Sequence, residues 1–163
     1  MSRTFRDGAL GALMDEYERA SGELARLLRE ITDAEFELVR DKKTQDEHCR
    51  SIQTIVSHVI NSGYGYADYL RQAFSLSSQR PAFEILSRNE CLDRLTRMLT
   101  YTANTLDGRW QYTDEQITAV HIHSRWGPQY DAEQMLEHAI VHVLRHRRQI
   151  ERFLAEEQSA QAG

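Results

Sequence analysis

Glu137-His138-Ala139-Ile140-Val141-His142-Val143-Leu144-Arg145-His146-Arg147-Arg148-Gln149-Ile150 is the stretch from which the fold is read. Its apolar residues recur at helical spacing, and it carries three of the chain's seven histidines, four residues apart. Residues at i and i+4 are neighbours on a helix face, with Cβ atoms about 5–6 Å apart, so His138, His142 and His146 form a ladder. Neutral imidazole suits a borderline divalent metal such as zinc or nickel, and a helical His-x3-His pair supplies two ligands whose direction the backbone sets. A third ligand must come from elsewhere. The competing reading is that the histidines only rim a solvated face, since the motif is short.

What is missing narrows the choice. A zincin helix needs Glu directly after its first histidine, but Ala139 follows His138 and Val143 follows His142. A di-iron bundle needs Glu-x-x-His pairs, and no histidine here has Glu three residues before it. A mononuclear, histidine-dominated site is what remains. Met135, Leu136, Ala139, Ile140, Val143, Ile150, Phe153 and Leu154 mark the buried stripe of this helix. His146 falls at the edge of the stripe, His142 one step outside and His138 farther round. His142 and His146 are therefore the candidate ligands, with His138 a neighbour.

Working outward, the chain has only two prolines, Pro81 and Pro128, which leaves long segments in which helical periodicity can run. The pattern predicts an all-α chain with helices near 8–31, 51–74, 88–106 and 131–156, in one bundle domain over 1–157 with a polar tail at 158–163. Ser21-Gly22 predicts a bend in the first helix. Thr32-Asp33-Ala34-Glu35, Ser87-Arg88-Asn89-Glu90 and Asp131-Ala132-Glu133-Gln134 have the form of capping boxes, Ser51 is placed to cap the second helix, and Thr113 can cap a turn inside the long 107–130 connection. The charged run Asp41–Glu47 reads as a solvated connection.

In the second helix His58 borders the stripe Ile52, Ile55, Val56, Val59 and Ile60, with Ser62, Tyr66 and Tyr69 continuing along the same border as the lining of one cleft. Alone, His58 reads as a border histidine bonded to nearby backbone. Beside a His-x3-His pair it is a source of the third ligand. His121 and His123, on one side of an extended Val120-His121-Ile122-His123, are a rival pair.

At 163 residues the chain buries a substantial core without disulfides or a structural metal, so a bound metal is expected to be functional. A net charge of −5 argues against nucleic acid and anionic membrane as partners. No run approaches the roughly 18–20 apolar residues that span a bilayer, and residues 1–7 lead into an amphipathic segment rather than a secretory core, which places the protein in the cytoplasm. Cys49 and Cys91 are expected as free thiols there.

Ser51-Ile52-Gln53-Thr54-Ile55-Val56-Ser57-His58-Val59 and His142-Val143-Leu144-Arg145-His146-Arg147-Arg148-Gln149-Ile150, with Trp126-Gly127 ahead of the last helix, resemble the motifs of the DinB-like (DinB/YfiT) family, which is distinct from the DNA polymerase of similar name. The resemblance implies an up-down-down-up four-helix bundle, a homodimer, and one divalent metal held by His58, His142 and His146 with water completing its shell. Arg148 departs from the glycine common at that place in the family and alters only the local surface. Family activities include thiol-dependent S-transfer and suspected hydrolysis, so the fold does not name a substrate.

Three neutral imidazoles leave a metal its full charge and open positions, the arrangement that activates water or holds a thiol as thiolate against an electrophilic small molecule. Gln149 reads either as a solvent-facing residue or as a support for a ligand. Asp68 and Glu137 are poorly placed to be a fourth ligand. The alternative is a non-catalytic dimeric protein whose histidines hold structure or sense metal. It differs from an enzyme in having a site closed by protein.

Overall fold

The computed structural model describes residues 5–161. Along the chain run α1 (Gly8–Glu30), the short α2 (Asp33–Glu37), a 3-10 turn (Glu47–Cys49), α3 (Ile52–Ala73), α4 (Arg88–Leu106), the short α5 (Asp114–Thr118), a two-residue antiparallel ladder of β1 (Ile122–His123) with β2 (Gln129–Tyr130), and α6 (Ala132–Gln161). No described helix is long and apolar enough to cross a membrane.

Local chemistry sets the starts. Thr32 with Glu35, Ser51 with Thr54, Ser87 with Glu90 and Thr113 with Gln116 form reciprocal caps. At the head of α6 the Gln134 amide donates to Asp131 Oδ1 while the Asp131 amide donates to Gln134 Oε1. Each such pair satisfies two of the helix's orphan N–H groups. At the other end of α4, Gly108 takes φ +74°, the left-handed conformation that glycine adopts without a Cβ penalty.

α1 and α3 each pack against both α4 and α6, so they face one another across the core. Leu10, Met14, Tyr17, Leu24 and Leu28 of α1 meet Ile52, Ile55, Val56, Val59 and Leu70 of α3, Leu95 and Met98 of α4, and Met135, Leu136, Ala139, Val143 and Ile150 of α6, all buried. At roughly 1.5–3 kcal/mol per fully buried large apolar side chain, these stripes are the main source of stability. Arg40, its side chain only 7% exposed, ties the α2 end to α6 by donating to Glu157 at 2.7 Å, to the Phe153 carbonyl at 3.4 Å and to the Glu35 carbonyl at 3.2 Å.

Two expectations are corrected. α6 does not end at 156: the expected tail continues as helix to Gln161, because Gln, Ser and Ala neither break nor cap it, and Ser159 Oγ bonds the Ala155 carbonyl. Residues 162–163 of that tail lie outside the described residues. α1 runs unbroken through Ser21-Gly22, where Gly22 meets nothing and one glycine costs only about 1 kcal/mol. The charged run Asp41–Glu47 is the solvated connection expected, with no residue buried, and its end coils into the 3-10 turn capped by Asp46.

Gly63 of α3 has no room for a side chain: a Cβ there would collide with Met98 Sδ and come within 2.8 Å of Tyr17 Oη. Tyr17 and Met98 are buried and bonded to each other at 3.3 Å, so neither has room to yield. Gly63→Ala is expected to destabilise the protein by about 1–3 kcal/mol, measured by urea denaturation, whereas Gly22→Ala should not destabilise it.

Candidate metal centre

α3 supplies His58, and α6 supplies His142 and His146 one turn apart. Tertiary packing of α3 on α6 brings a ligand atom of each ring within 4.8 Å of the others. Ring centroids lie 5.1 Å apart for His58 and His142, 5.3 Å for His58 and His146, and 4.5 Å for His142 and His146. Burial in the interface penalises the charged form. It lowers His58 to about 4 and His142 to about 3, with neighbouring imidazoles adding to the effect, and it also lowers His146, against a raising contribution from its bond to Gln149. All three are therefore neutral at pH 7, the state in which imidazole ligates metal.

Gln149 proves to be more than a solvent-facing residue. Its Oε1 lies 3.0 Å from His146 Nδ1, and an amide oxygen only accepts, so Nδ1 carries the proton and Nε2 keeps the lone pair. Cys49 Sγ lies 3.9 Å from the same Oε1 and 3.5 Å from Asp46 Oδ2, while burial raises the thiol above its ordinary range. Cys91 is buried in the core, away from this chemistry.

His48 was not legible as part of the site. Asp46 Oδ1 accepts from the His48 amide, and the 3-10 turn lays the His48 ring on His58 at 4.8 Å and 21°, with Phe83 edge-on behind it at 5.5 Å. The only sequence signal was Asp46 two residues ahead of a histidine, a local cap that says nothing of what the ring will meet.

On the other side stands an aromatic wall. Tyr66 packs edge-on against His142 at 5.5 Å and His138 at 5.1 Å. Trp126 stacks on His138 at 5.3 Å and meets the rings of Tyr66 and Tyr69. The loop that carries Trp126 is held by Ser124, which donates to the Pro128 carbonyl, by Gly127 at φ +110°, and by the Arg125 amide donating to Tyr69 Oη at 3.0 Å. Of the expected border row His58, Ser62, Tyr66, Tyr69, Tyr66 thus lies beside the cluster and Tyr69 behind it against Trp126. His121 and His123 are exposed and do not reach it. Asp68 is occupied by Tyr101, Ser78 and Arg80, and Glu137 lines an open groove with Tyr130, His138 and Val141.

Three neutral imidazoles, one with its tautomer held, are a donor set that fits a borderline divalent ion. The sequence model of the DinB family matches residues 1–156.

The chain belongs to the DinB family.

No curated protein matches the sequence. As a DinB-family protein it carries a three-histidine cluster able to hold one metal ion, on the face of the bundle where α3 meets α6.

Because His58 and His142 titrate far below the ordinary 6.5, the unfolded chain binds protons that the folded apoprotein refuses. This contribution to stability is complete above about pH 6.5 and is lost as pH falls through the folded values near 4 and 3. With a chelator present, the denaturation midpoint is expected to fall from pH 7 to pH 5, and His142→Ala should reduce the fall. Gln149→Ala is expected to weaken metal binding by about tenfold or more with the fold retained, read by chelator competition.

Proposed function

We propose that this DinB-family protein is a metal-dependent enzyme in which His58, His142 and His146 hold one divalent ion, zinc or nickel, at a site where water or a low-molecular-weight thiol meets a small electrophilic substrate. The reaction class is hydrolysis or thiol S-transfer. The observation that carries this reading is the convergence of three histidine donors with no fourth His, Cys, Asp or Glu joining them among the described residues. A structural site is closed by a fourth protein ligand, whereas a catalytic one keeps a position for substrate. When bound, the ion supplies Lewis acidity that favours the deprotonated nucleophile.

The chain's own groups frame that position. His48 and Phe83 flank it from the 3-10 turn side, Tyr66 from α3, and Trp126 with His138 from the far side. Gln149 holds His146 in the tautomer that presents Nε2. In the same proposal the helices run up-down-down-up and the protein is a homodimer in the reducing cytoplasm, where Cys49 and Cys91 stay free; a strictly monomeric mass at micromolar concentration would remove the dimer.

Elemental analysis of untagged protein is expected to find one zinc or nickel per chain. His142→Ala should lose it and His138→Ala should keep it. Turnover of a panel of electrophiles, with and without low-molecular-weight thiols, is expected for the native protein and not for the metal-stripped or His146→Ala protein. Equal rates in all three, or none anywhere, would favour a non-catalytic metal-binding or metal-sensing role.

A further inference from the structure

His121 and His123 stand apart from the metal centre, and the fold gives them another setting. Ile122 between them is buried and pairs with Tyr130 in the short ladder, so by strand alternation both imidazoles leave the opposite face. That face opens on a groove of about 190 Å³ lined by both histidines together with Tyr69 and Gln72 of α3. His123, Tyr69 and Gln72 also line an adjoining groove of about 280 Å³, where Arg80 and Arg125 join them. Neither groove includes His58, His142 or His146.

The lining is cationic and rich in N–H donors. Asp68 is the one carboxylate in it, and both of its oxygens are occupied. Oδ1 accepts from Tyr101 Oη at 2.7 Å, and Oδ2 accepts from Ser78 Oγ at 2.7 Å and lies 3.3 Å from Arg80 Nε. With Arg80 balancing Asp68, the guanidinium of Arg125 leaves the groove net positive, since no carboxylate among the described residues pairs with Arg125. The backbone that carries Arg125 is pinned, because its amide donates to Tyr69 Oη at 3.0 Å. Two of the cationic groups are thus held in place before any ligand arrives, which lowers the entropy lost on binding.

Gly65 lines the same groove. A Cβ there would make only an ordinary contact, 3.4 Å from Arg80 Nη1, so packing does not demand glycine as it does at Gly63. A glycine inside a helix costs stability relative to alanine, and what its missing side chain provides here is open backbone beside the Arg80 guanidinium.

We infer that this groove binds the phosphate group of a small molecule, or phosphate itself, with Arg125 and Arg80 as the charged donors and His123, His121 and Gln72 beside them. Two guanidiniums, two imidazoles and an amide offer more N–H groups than the two oxygens of a carboxylate use, and a phosphate dianion suits more than one cationic donor. The site does not depend on the metal centre.

Calorimetric titration of the purified protein with inorganic phosphate, glycerol 3-phosphate and glycerol tests it. Both phosphates are expected to bind and glycerol is not. Tighter binding of glycerol 3-phosphate identifies a phosphorylated small molecule as the ligand, and equal binding identifies free phosphate. Arg125→Gln is expected to weaken both by about tenfold or more and Arg125→Lys by less, each with the urea midpoint of the native protein. His123→Ala should weaken them as well. His142→Ala, which removes a ligand of the metal, should leave phosphate binding unchanged. No heat from either phosphate at millimolar concentration would overturn the inference. So would binding that survives Arg125→Gln and is lost in His142→Ala, which would place the phosphate on the metal instead.

Discussion

Imidazole buried between two helices must stay uncharged, and that constraint organises this protein. His58, His142 and His146 sit where α3 packs on α6, and desolvation there costs the protonated form more than the neutral one. Once neutral, three rings pointing at one another lose their mutual repulsion and become a set of lone pairs. The bundle thus creates donors suited to a metal by the same burial that gives it stability. The apolar stripes on either side, Val56 and Val59 on α3 and Ala139 and Val143 on α6, hold the two helices at the spacing that makes the cluster.

α6 concentrates most of the chemistry because its periodicity lets one helix serve several surroundings. Its inner residues Ala139, Val143 and Ile150 enter the core, its edge carries His142 and His146, and the next row round holds His138 and Arg145. Gln149 reaches back one turn to His146. Shorter pieces then frame the edge: the 3-10 turn brings His48 from one side, and the Ser124–Gly127 loop brings Trp126 from the other. These connections are anchored by side chains of the long helices, as where Tyr69 Oη accepts from the Arg125 amide, so the rim inherits its position from the bundle.

Much of this was legible in the residues. Helical spacing, two prolines and reciprocal capping pairs at Thr32, Ser87, Thr113 and Asp131 determined that the chain is helical and where its helices start, because each of these acts within about one turn of chain. The His-x3-His pair was readable for the same reason, and the stripe beside it ranked His142 and His146 over His138. The end of α6 was not, since Gln158-Ser159-Ala160-Gln161 permits both helix and tail.

What lies across the core was decided by tertiary structure alone. The approach of His58 to the pair on α6, His48 on the face of His58, Trp126 on His138 and the contact of Gln149 with a ligand candidate rather than with water all depend on how helices and loops meet in three dimensions. Local sequence specifies the face on which a side chain leaves its helix. Which partner comes to that face follows from burying four apolar stripes at once, a condition on the whole chain that no single segment contains.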